Sequence, residues 1–360
     1  MTKITFFSLF QIIFSSLKIV IEQYDRELSI AMLRFLILLI FCNLLFPVSI
    51  SYATEVIDKI PNNILIYHRF NDNRFPSTNT TIEQFEEQID YLITNDYKFV
   101  TLHQLVNDPD MKDKSIAITI DDAYQSFYQF GFPVLKKYNI SATLFLSTES
   151  VGSSDFLNWT QLRELLNYGI DIQNHTHTHS HMPDQTLVEI ENEILLSQKI
   201  IMDNLGIKPD LFAYPYGEAS SAAQGVIRKY FKAAFGQHSG AFSFNDPYYI
   251  ARFPINENYG SLERIQNSAT VLSFKHSSIQ PNDPFMKMPQ SRFVLDFKEN
   301  PSSINCYFSD FQGSILGTKT ILDTKLLYEL DRMPVTGRLR VNCTKIDQRT
   351  FWYGYQYYLN

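Results

Sequence analysis

The sequence lacks an excess of basic residues, and it lacks low-complexity tracts. It has 31 Lys and Arg against 38 Asp and Glu, which gives a formal net charge of −7 at pH 7. Nucleic-acid binders usually carry a positive surface that neutralises phosphates, so nucleic acid is not an expected partner. With 45% apolar and 19% charged residues, the chain has the composition of a folded protein. Its 360 residues suffice for one large domain and a smaller one.

Cysteine is also scarce, with three in the chain. Cys42 lies in an apolar N-terminal segment, which leaves Cys306 and Cys343 as a pair in the C-terminal part. In an oxidising compartment such a pair forms a disulfide, and this is the pairing that we predict. The alternative is two buried free thiols.

The N-terminus contains no clean membrane-spanning run, but it has the layout of an export signal. Residues 32–53 contain, in order, a positive start, an apolar core and a small-residue cleavage site before Thr54. We therefore predict a signal peptide there, within an export region 1–53, and a periplasmic or extracellular protein. A second, interrupted apolar stretch covers residues 4–21. Either translation starts at Met32, or this stretch is an uncleaved anchor that associates the protein with a membrane.

Strand-like and helix-like segments alternate between residues 62 and 255. Apolar residues at helical spacing predict helices over residues 81–94, 130–138, 160–166 and 187–204. Thr81 is the expected N-cap of the first helix, and Gly169 and Gly206 follow the last two. Short apolar runs predict strands over residues 63–68, 99–101, 115–120, 142–146, 170–173, 211–214, 233–235 and 249–250. This alternation predicts a parallel sheet with its chemistry at the carboxyl ends of the strands.

The pattern changes after about residue 275, where prolines separate short strand-like runs. The runs are residues 292–297, 305–308, 338–343 and 351–359, and residues 323–331 are interpreted as one helix. We predict a catalytic domain over residues 54–274 and a small C-terminal all-β module over residues 275–360.

Two motifs carry the chemistry, and the first is the pair Asp121-Asp122. Two adjacent carboxylates are usually just solvated, but these follow a buried strand-like run, residues 115–120. Neighbouring side chains at a strand end point in different directions. One aspartate can therefore bind a metal while the other faces a substrate.

The second motif places four histidines within seven residues, at alternate positions from His175 to His181. Residues four apart share a face, so His175 pairs with His179, and His177 pairs with His181. We favour His175 and His179 because a predicted strand leads directly into His175. Two imidazoles and one carboxylate suit a divalent metal with an open coordination position.

The two motifs, with a third, resemble those of a known family. Residues 119–124 (TIDDAY) resemble the T-x-D-D-G motif of polysaccharide deacetylases, the carbohydrate esterase family 4. Residues 174–179 (NHTHTH) resemble their H-[ST]-x-x-H motif, and residues 212–217 (FAYPYG) their R-x-P-Y motif. The resemblance covers roughly residues 60–270 and implies an α/β fold, a distorted (β/α)7-type barrel.

Carried over by position, the resemblance implies a metal site and a base. Asp122, His175 and His179 would hold one divalent metal, and Asp121 would be the catalytic base. The ligand set suits Zn²⁺ best, with Co²⁺, Ni²⁺ and Fe²⁺ compatible.

The resemblance also implies how substrate is held. The backbone N–H of Tyr216, which follows Pro215, would stabilise the tetrahedral oxyanion. The substrate class that it implies is a polysaccharide or oligosaccharide containing N-acetylglucosamine.

Three departures from the family pattern stand out. Ala123 replaces the usual glycine, and Ala213 stands where the family has the arginine that orients the base. Arg252 is a candidate substitute from a neighbouring strand. The histidine motif that supplies the general acid is not evident, and the candidates are His68, at the end of the first strand, and His276 in the linker.

These observations predict an exported, metal-dependent polysaccharide N-deacetylase. The alternatives are a carbohydrate-binding protein of the same fold that has lost turnover, and a small-molecule amidase.

Overall fold

The computed structural model describes residues 23–26, 28 and 60–360. Residues 23–26 and 28 are helical, and the segment from Asp58 to Asn360 is one compact unit. The predicted signal peptide lies outside the described residues and stays a prediction. In the part of the chain that the structure describes, no helix has both the length and the apolar character needed to cross a bilayer.

A curled parallel sheet forms the larger part of the compact unit. The strands up to residue 254 are β1 (Asn62–Tyr67), β2 (Arg69–Phe70), β3 (Asn79–Thr80), β4 (Lys98–Phe99), β5 (Ser115–Asp121), β6 (Thr143–Leu146), β7 (Asp171–Asn174), β8 (Leu211–Ala213), β9 (Ala233–Phe235) and β10 (Phe253–Pro254). Seven of them run in the order β10-β1-β5-β6-β7-β8-β9, with β4 beside β5, and every pair is parallel. The sheet is a half-barrel of seven strands, as the sequence predicts.

Helices connect these strands and cover the outside of the sheet. They are α1 (Ile82–Thr94), α2 (Leu102–Asn107), α3 (Phe132–Tyr138), α4 (Trp159–Tyr168), α5 (Leu187–Leu205), α6 (Ser221–Ile227) and α7 (Leu262–Thr270). The predicted cap of α1 is confirmed. The Thr81 side chain accepts a hydrogen bond from the Gln84 N–H, and the Gln84 side chain accepts one from the Thr81 N–H. Gly169 and Gly206 end α4 and α5 at φ 112° and 71°, where a Cβ is disfavoured.

Sequence reasoning missed α2, α6 and α7, and it misplaced one strand. Each missed helix follows a Ser or Thr whose side chain accepts the capping bond, a signal present at residues 101, 220 and 261. The predicted strand at residues 249–250 is wrong, because Ile250 forms only an isolated bridge to Phe235. The last strand is instead β10, which contains Pro254, a residue that argues against a strand in a sequence pattern.

The C-terminal part consists of β-strands, which confirms the predicted all-β architecture. They are β11 (Ser278–Gln280), β12 (Phe285–Met286), β13 (Arg292–Asp296), β14 (Ile304–Asp310), β15 (Gly313–Ile315), β16 (Gly317–Leu322), β17 (Lys325–Leu330), β18 (Gly337–Ile346) and β19 (Thr350–Leu359). They form two sheets, β11-β13-β17-β16 and β12-β19-β18-β14-β15.

The helix predicted over residues 323–331 is wrong, because β17 occupies that segment. Leu326, Tyr328 and Leu330 are buried while the residues between them are more exposed, which is the two-residue period of a strand.

The predicted disulfide is confirmed. Cys306 on β14 lies opposite Cys343 on β18, and their sulfurs are bonded at 2.03 Å. The C-terminal strands also share one apolar cluster with the parallel sheet, since Phe212 and Tyr214 belong to the same buried cluster as Phe293 and Tyr357. The division into domains at residue 275 stays a prediction.

Candidate active site

The carboxyl ends of β5 and β7 bring the two sequence motifs together. Asp121 is the last residue of β5, Asp122 follows it, and His175 follows β7. The Oδ1 of Asp122 lies 3.3 Å from the Nε2 of His175 and 3.1 Å from the Nε2 of His179. The three ligand atoms all lie within 4.8 Å of one another. The structure therefore assembles the triad that the sequence predicts.

The triad fits a divalent metal by its chemistry and its spacing. Tetrahedral zinc ligands at ~2.0–2.1 Å from the ion lie about 3.3 Å from one another. The Nδ1 of His175 lies 2.8 Å from the Ala213 carbonyl oxygen, which fixes the proton on Nδ1 and leaves Nε2 free to coordinate. Burial alone would raise the pKa of Asp122, but its contacts with His175 and His179 hold that pKa well below its ordinary value.

The other two histidines of the run lie outside the triad. The Nδ1 of His177 lies 2.9 Å from the Thr148 hydroxyl. The Nδ1 of His181 lies 2.5 Å from Glu218, which is only 3% exposed. The favoured pair, His175 and His179, is the pair that meets Asp122.

Left-handed backbone is concentrated at this site. Of the ten described non-glycine residues with positive φ, five lie here: Asp122 (72°), Ala123 (59°), Thr176 (66°), His179 (57°) and Tyr216 (59°). Each such residue costs about 1–2 kcal/mol relative to ordinary backbone. Strain of this kind persists only where surrounding contacts enforce it, and it clusters at functional sites. The position of Ala123 therefore does need positive φ, which explains why a glycine is usual there.

Arg252 lies against the second aspartate. Its Nη1 and Nη2 each donate to one Asp121 carboxylate oxygen at 2.8 Å, and its Nε donates to the Gly236 carbonyl at 2.8 Å. The arginine is fully buried and the aspartate is 2% exposed. Burial raises the pKa of Asp121, but the charges of Arg252 and His175 and the hydrogen bonds from Arg252 together outweigh burial and lower that pKa. Arg252 thus makes the contact with Asp121 that the family resemblance implies for an arginine at position 213, where this chain has Ala213.

A tight turn after β8 closes the site on another side. It covers Pro215–Gly217, and its middle residue, Tyr216, has φ 59° and ψ 6°. The Tyr216 ring lies 4.6 Å from the His179 ring and stacks on the His181 ring at 4.2 Å. Tyr216 and Pro215 therefore lie beside the triad, as the sequence predicts.

His68 is the candidate acid that the structure places near the two aspartates. It follows β1, it is 8% exposed, and its Nε2 lies 2.8 Å from the Gln237 side-chain nitrogen. Burial is the largest effect and lowers the pKa of His68 below its ordinary value, although the charges of Asp122 and Asp121 oppose this lowering. Sequence reasoning missed Gln237, since it carries no motif, and His276 makes no contact with the triad.

Known proteins that resemble this chain are deacetylases. A family model described as "Polysaccharide deacetylase" matches residues 108–232, which include the two aspartates, the histidines and the turn. Over this segment the chain is similar to polysaccharide deacetylases.

Among curated members of the polysaccharide deacetylase family, YxkH of Bacillus subtilis (strain 168) is 31% identical over 168 residues, 46% of this chain and 59% of its own length. A poly-beta-1,6-N-acetyl-D-glucosamine N-deacetylase of Staphylococcus aureus (strain N315) is 28% identical over 215 residues, 54% of this chain and 74% of its own. The match to YxkH thus spans less than two thirds of that relative.

Solved structures of polysaccharide deacetylases share the fold. The Streptococcus pyogenes deacetylase PplD, in complex with acetate, superposes with a TM-score of 0.54 at 21% identity, over 59% of this chain and 99% of its own. IcaB from Ammonifex degensii gives a TM-score of 0.52 at 22% identity, over 58% of this chain and 97% of its own. This likeness confirms the predicted α/β fold, a distorted (β/α)7-type barrel.

Proposed function

We propose that this protein is an exported, metal-dependent enzyme that removes acetyl groups from an N-acetylglucosamine-containing polysaccharide. The observation that carries the proposal is the pairing of two differently supported aspartates. Asp122 faces two histidines, while the adjacent Asp121 is held by a buried arginine, Arg252. A hydrolase needs one carboxylate for a metal and a second, ionised one for a proton.

In this proposal Asp122, His175 and His179 hold the divalent metal, with Zn²⁺ the best match to the ligand set. When bound, the metal supplies Lewis acidity for the amide carbonyl and lowers the pKa of a water to about 7. Asp122 stays ionised at neutral pH because its pKa is held low, so it is ready to coordinate.

Asp121 takes the proton from the attacking water. It is ionised at neutral pH, and the two bonds from Arg252 fix the orientation of its carboxylate. A positioned base of this kind contributes roughly 10²–10⁴-fold to a rate. An apolar or unpaired site would favour a protonated carboxyl, which could not act as a base.

Tyr216 and His68 complete the reaction. The Tyr216 N–H, in the left-handed turn beside the triad, would stabilise the oxyanion that forms on the acetyl carbonyl. His68 would give a proton to the departing amine, since it faces the same carboxylates from β1. The products are acetate and a sugar with a free amine.

The name of the Staphylococcus aureus relative supports a β-1,6-linked N-acetylglucosamine polymer as the substrate. The residues 32–53 support export. An intact base and its arginine argue against the alternative of a binding protein without turnover, since binding alone requires neither.

The test is acetate release by the full chain, loaded with one equivalent of Zn²⁺, from three kinds of substrate. They are β-1,6-linked N-acetylglucosamine oligomers, β-1,4-linked oligomers of the same sugar, and a small acetylated amine. The proposal predicts release from oligomers, fastest from the β-1,6-linked series. No release from either oligomer would contradict it, and release only from the small amine would indicate an amidase.

A further inference from the structure

The C-terminal module contacts the turn that contains Tyr216. Gln356, in the middle of β19, is 1% exposed. Its side-chain amide nitrogen lies 3.2 Å from the Tyr216 carbonyl oxygen and 3.1 Å from the Gly217 carbonyl oxygen. An amide nitrogen has two N–H groups, so Gln356 can donate to both carbonyls at once.

Tyr249 links the same turn to the same strand. Its hydroxyl lies 2.8 Å from the Gly217 carbonyl oxygen and 3.0 Å from the Gln356 carbonyl oxygen, and it is 5% exposed. One hydroxyl hydrogen serves these two acceptors in turn. Without the Gln356 amide, the Tyr216 carbonyl would therefore lose its hydrogen-bond donor. The Gly217 carbonyl would keep only the Tyr249 hydroxyl, which it shares with the Gln356 carbonyl.

The turn is also pressed between the sheet and the module. A Cβ on Gly217, which has φ 67°, would meet the Gln237 backbone nitrogen at 2.5 Å. On the module side, Arg338 of β18 approaches Glu218 at 4.0 Å, and Glu218 holds the His181 ring that stacks on Tyr216. The left-handed conformation of Tyr216 is thus enforced from two directions.

The orientation of the Tyr216 N–H depends on this conformation. A tyrosine prefers negative φ, and a return to negative φ would rotate the peptide that carries its N–H. Donors act in catalysis only when they are fixed before charge develops. A group that fixes the Tyr216 and Gly217 carbonyls, which both follow the Tyr216 N–H along the chain, therefore helps to hold the turn that sets where this N–H points.

We infer that the C-terminal module is a working part of the active site, with Gln356 as a positioning residue that holds the Tyr216 turn in its left-handed conformation. The inference rests on the proposed function, because it concerns the rate of deacetylation. It assigns the module a role that the matched family segment, residues 108–232, does not include.

The test compares Gln356→Leu with Tyr357→Phe in the full chain. Tyr357 is the next residue of β19, and its hydroxyl donates to the Pro281 carbonyl at 2.5 Å. Tyr357→Phe thus also removes a hydrogen bond to a backbone carbonyl, but that carbonyl belongs to Pro281 and not to the turn. Gln356→Met, with a side chain of the same length, replaces the leucine variant if that variant fails to fold.

For each zinc-loaded protein, kcat and KM for acetate release are measured, together with bound zinc and amide hydrogen exchange of residues 211–220. We expect Gln356→Leu to lower kcat by roughly 10–100-fold, with KM within about threefold and zinc content unchanged. Exchange in the turn should accelerate. Tyr357→Phe should keep kcat within about twofold.

Wild-type kcat in Gln356→Leu, or an equal loss of kcat in both variants, would overturn the inference. If the wild-type protein releases no acetate, the proposed function fails on its own. Exchange then decides the structural part: acceleration in Gln356→Leu alone supports the brace, and unchanged exchange overturns it.

Discussion

Arg252 and Asp121 form a buried pair joined by two hydrogen bonds of 2.8 Å. The arginine precedes β10 and the aspartate ends β5, with β1 lying between those two strands. A planar guanidinium matches a carboxylate in this forked geometry, which sets the plane of the carboxylate as well as its charge. The pair therefore keeps the Asp121 carboxylate oriented and ionised through an arginine that precedes β10 rather than one on β8.

The first prediction concerns Arg252→Lys. Lysine keeps the positive charge but cannot form the two-pronged contact, so the Asp121 carboxylate should lose its fixed orientation. We expect kcat to fall by about 10–100-fold with zinc content unchanged. Arg252→Ala should also lower the free energy of unfolding by about 3–5 kcal/mol, because it leaves a buried carboxylate without a partner.

The control for Arg252 is Arg264→Lys. Arg264 is a half-buried arginine, and it donates to the Ser239 hydroxyl at 2.8 Å rather than to Asp121. It should keep wild-type kcat, measured by steady-state acetate release. A similar loss of kcat in both lysine variants would show that Arg252 acts only through general stability.

The second prediction concerns the histidine run. His175→Ala and His179→Ala should lose the bound zinc, because each removes one ligand of the triad. His177→Ala and His181→Ala should retain it, since those rings bond to Thr148 and Glu218 instead. Zinc per chain, measured by mass spectrometry after dialysis, tests this. Equal loss of zinc in His175→Ala and His177→Ala would overturn the assigned ligand pair.

The third prediction concerns the proton donor. His68→Gln should keep its zinc, and its kcat should fall by roughly 10²–10⁴-fold, because the departing amine would leave without a proton. The matched control is His276→Gln, in the linker. If His68→Gln turns over at the wild-type rate, the proton comes from elsewhere.

The fourth prediction concerns stability far from the active site. The Nδ1 and Nε2 of His103 lie 3.2 Å and 2.6 Å from Asp171 and Asp210, and these contacts, Asp171 first, raise the pKa of His103 to about 9. A raised folded-state pKa stabilises the protein fully below the unfolded value of about 6.5, and the effect is lost as pH rises through about 9.

His103→Gln should therefore lower the free energy of unfolding by about 1 kcal/mol at pH 6 and by little above pH 9.5. The figure is kept small because the side chain is 32% exposed and water screens the pair. Urea unfolding at both pH values measures it. A difference between wild type and variant that does not change with pH would contradict the prediction. In proteins that also carry Asp171→Asn, the effect of His103→Gln at pH 6 should be smaller.

Local patterns in the sequence were enough to predict the triad and most of the sheet. Asp121, Asp122 and His175 each follow a short apolar run, and strands of that kind align their carboxyl ends in a parallel sheet. The capped helix α1 and the glycine-ended helices α4 and α5 carry their signals within a few residues.

Contacts between distant segments were harder to predict. Arg252 reaches Asp121 across 131 residues, and Gln356 reaches Gly217 across 139, so neither pairing leaves a local pattern. The helix prediction missed β17, whose buried residues alternate over only six positions. A general acid could not be chosen between His68 and His276 until the fold placed one of them beside the carboxylates.

The central claim is that Asp121 acts as the base of a metal-dependent deacetylase. It is tested most directly by acetate release from a β-1,6-linked N-acetylglucosamine oligomer, comparing zinc-loaded wild-type protein with zinc-loaded Asp121→Asn. The account predicts zinc-dependent release by the wild type, and a rate lower by at least about 100-fold in the variant, which keeps its metal. Equal rates in the two proteins, or no release by the zinc-loaded wild type, would contradict it.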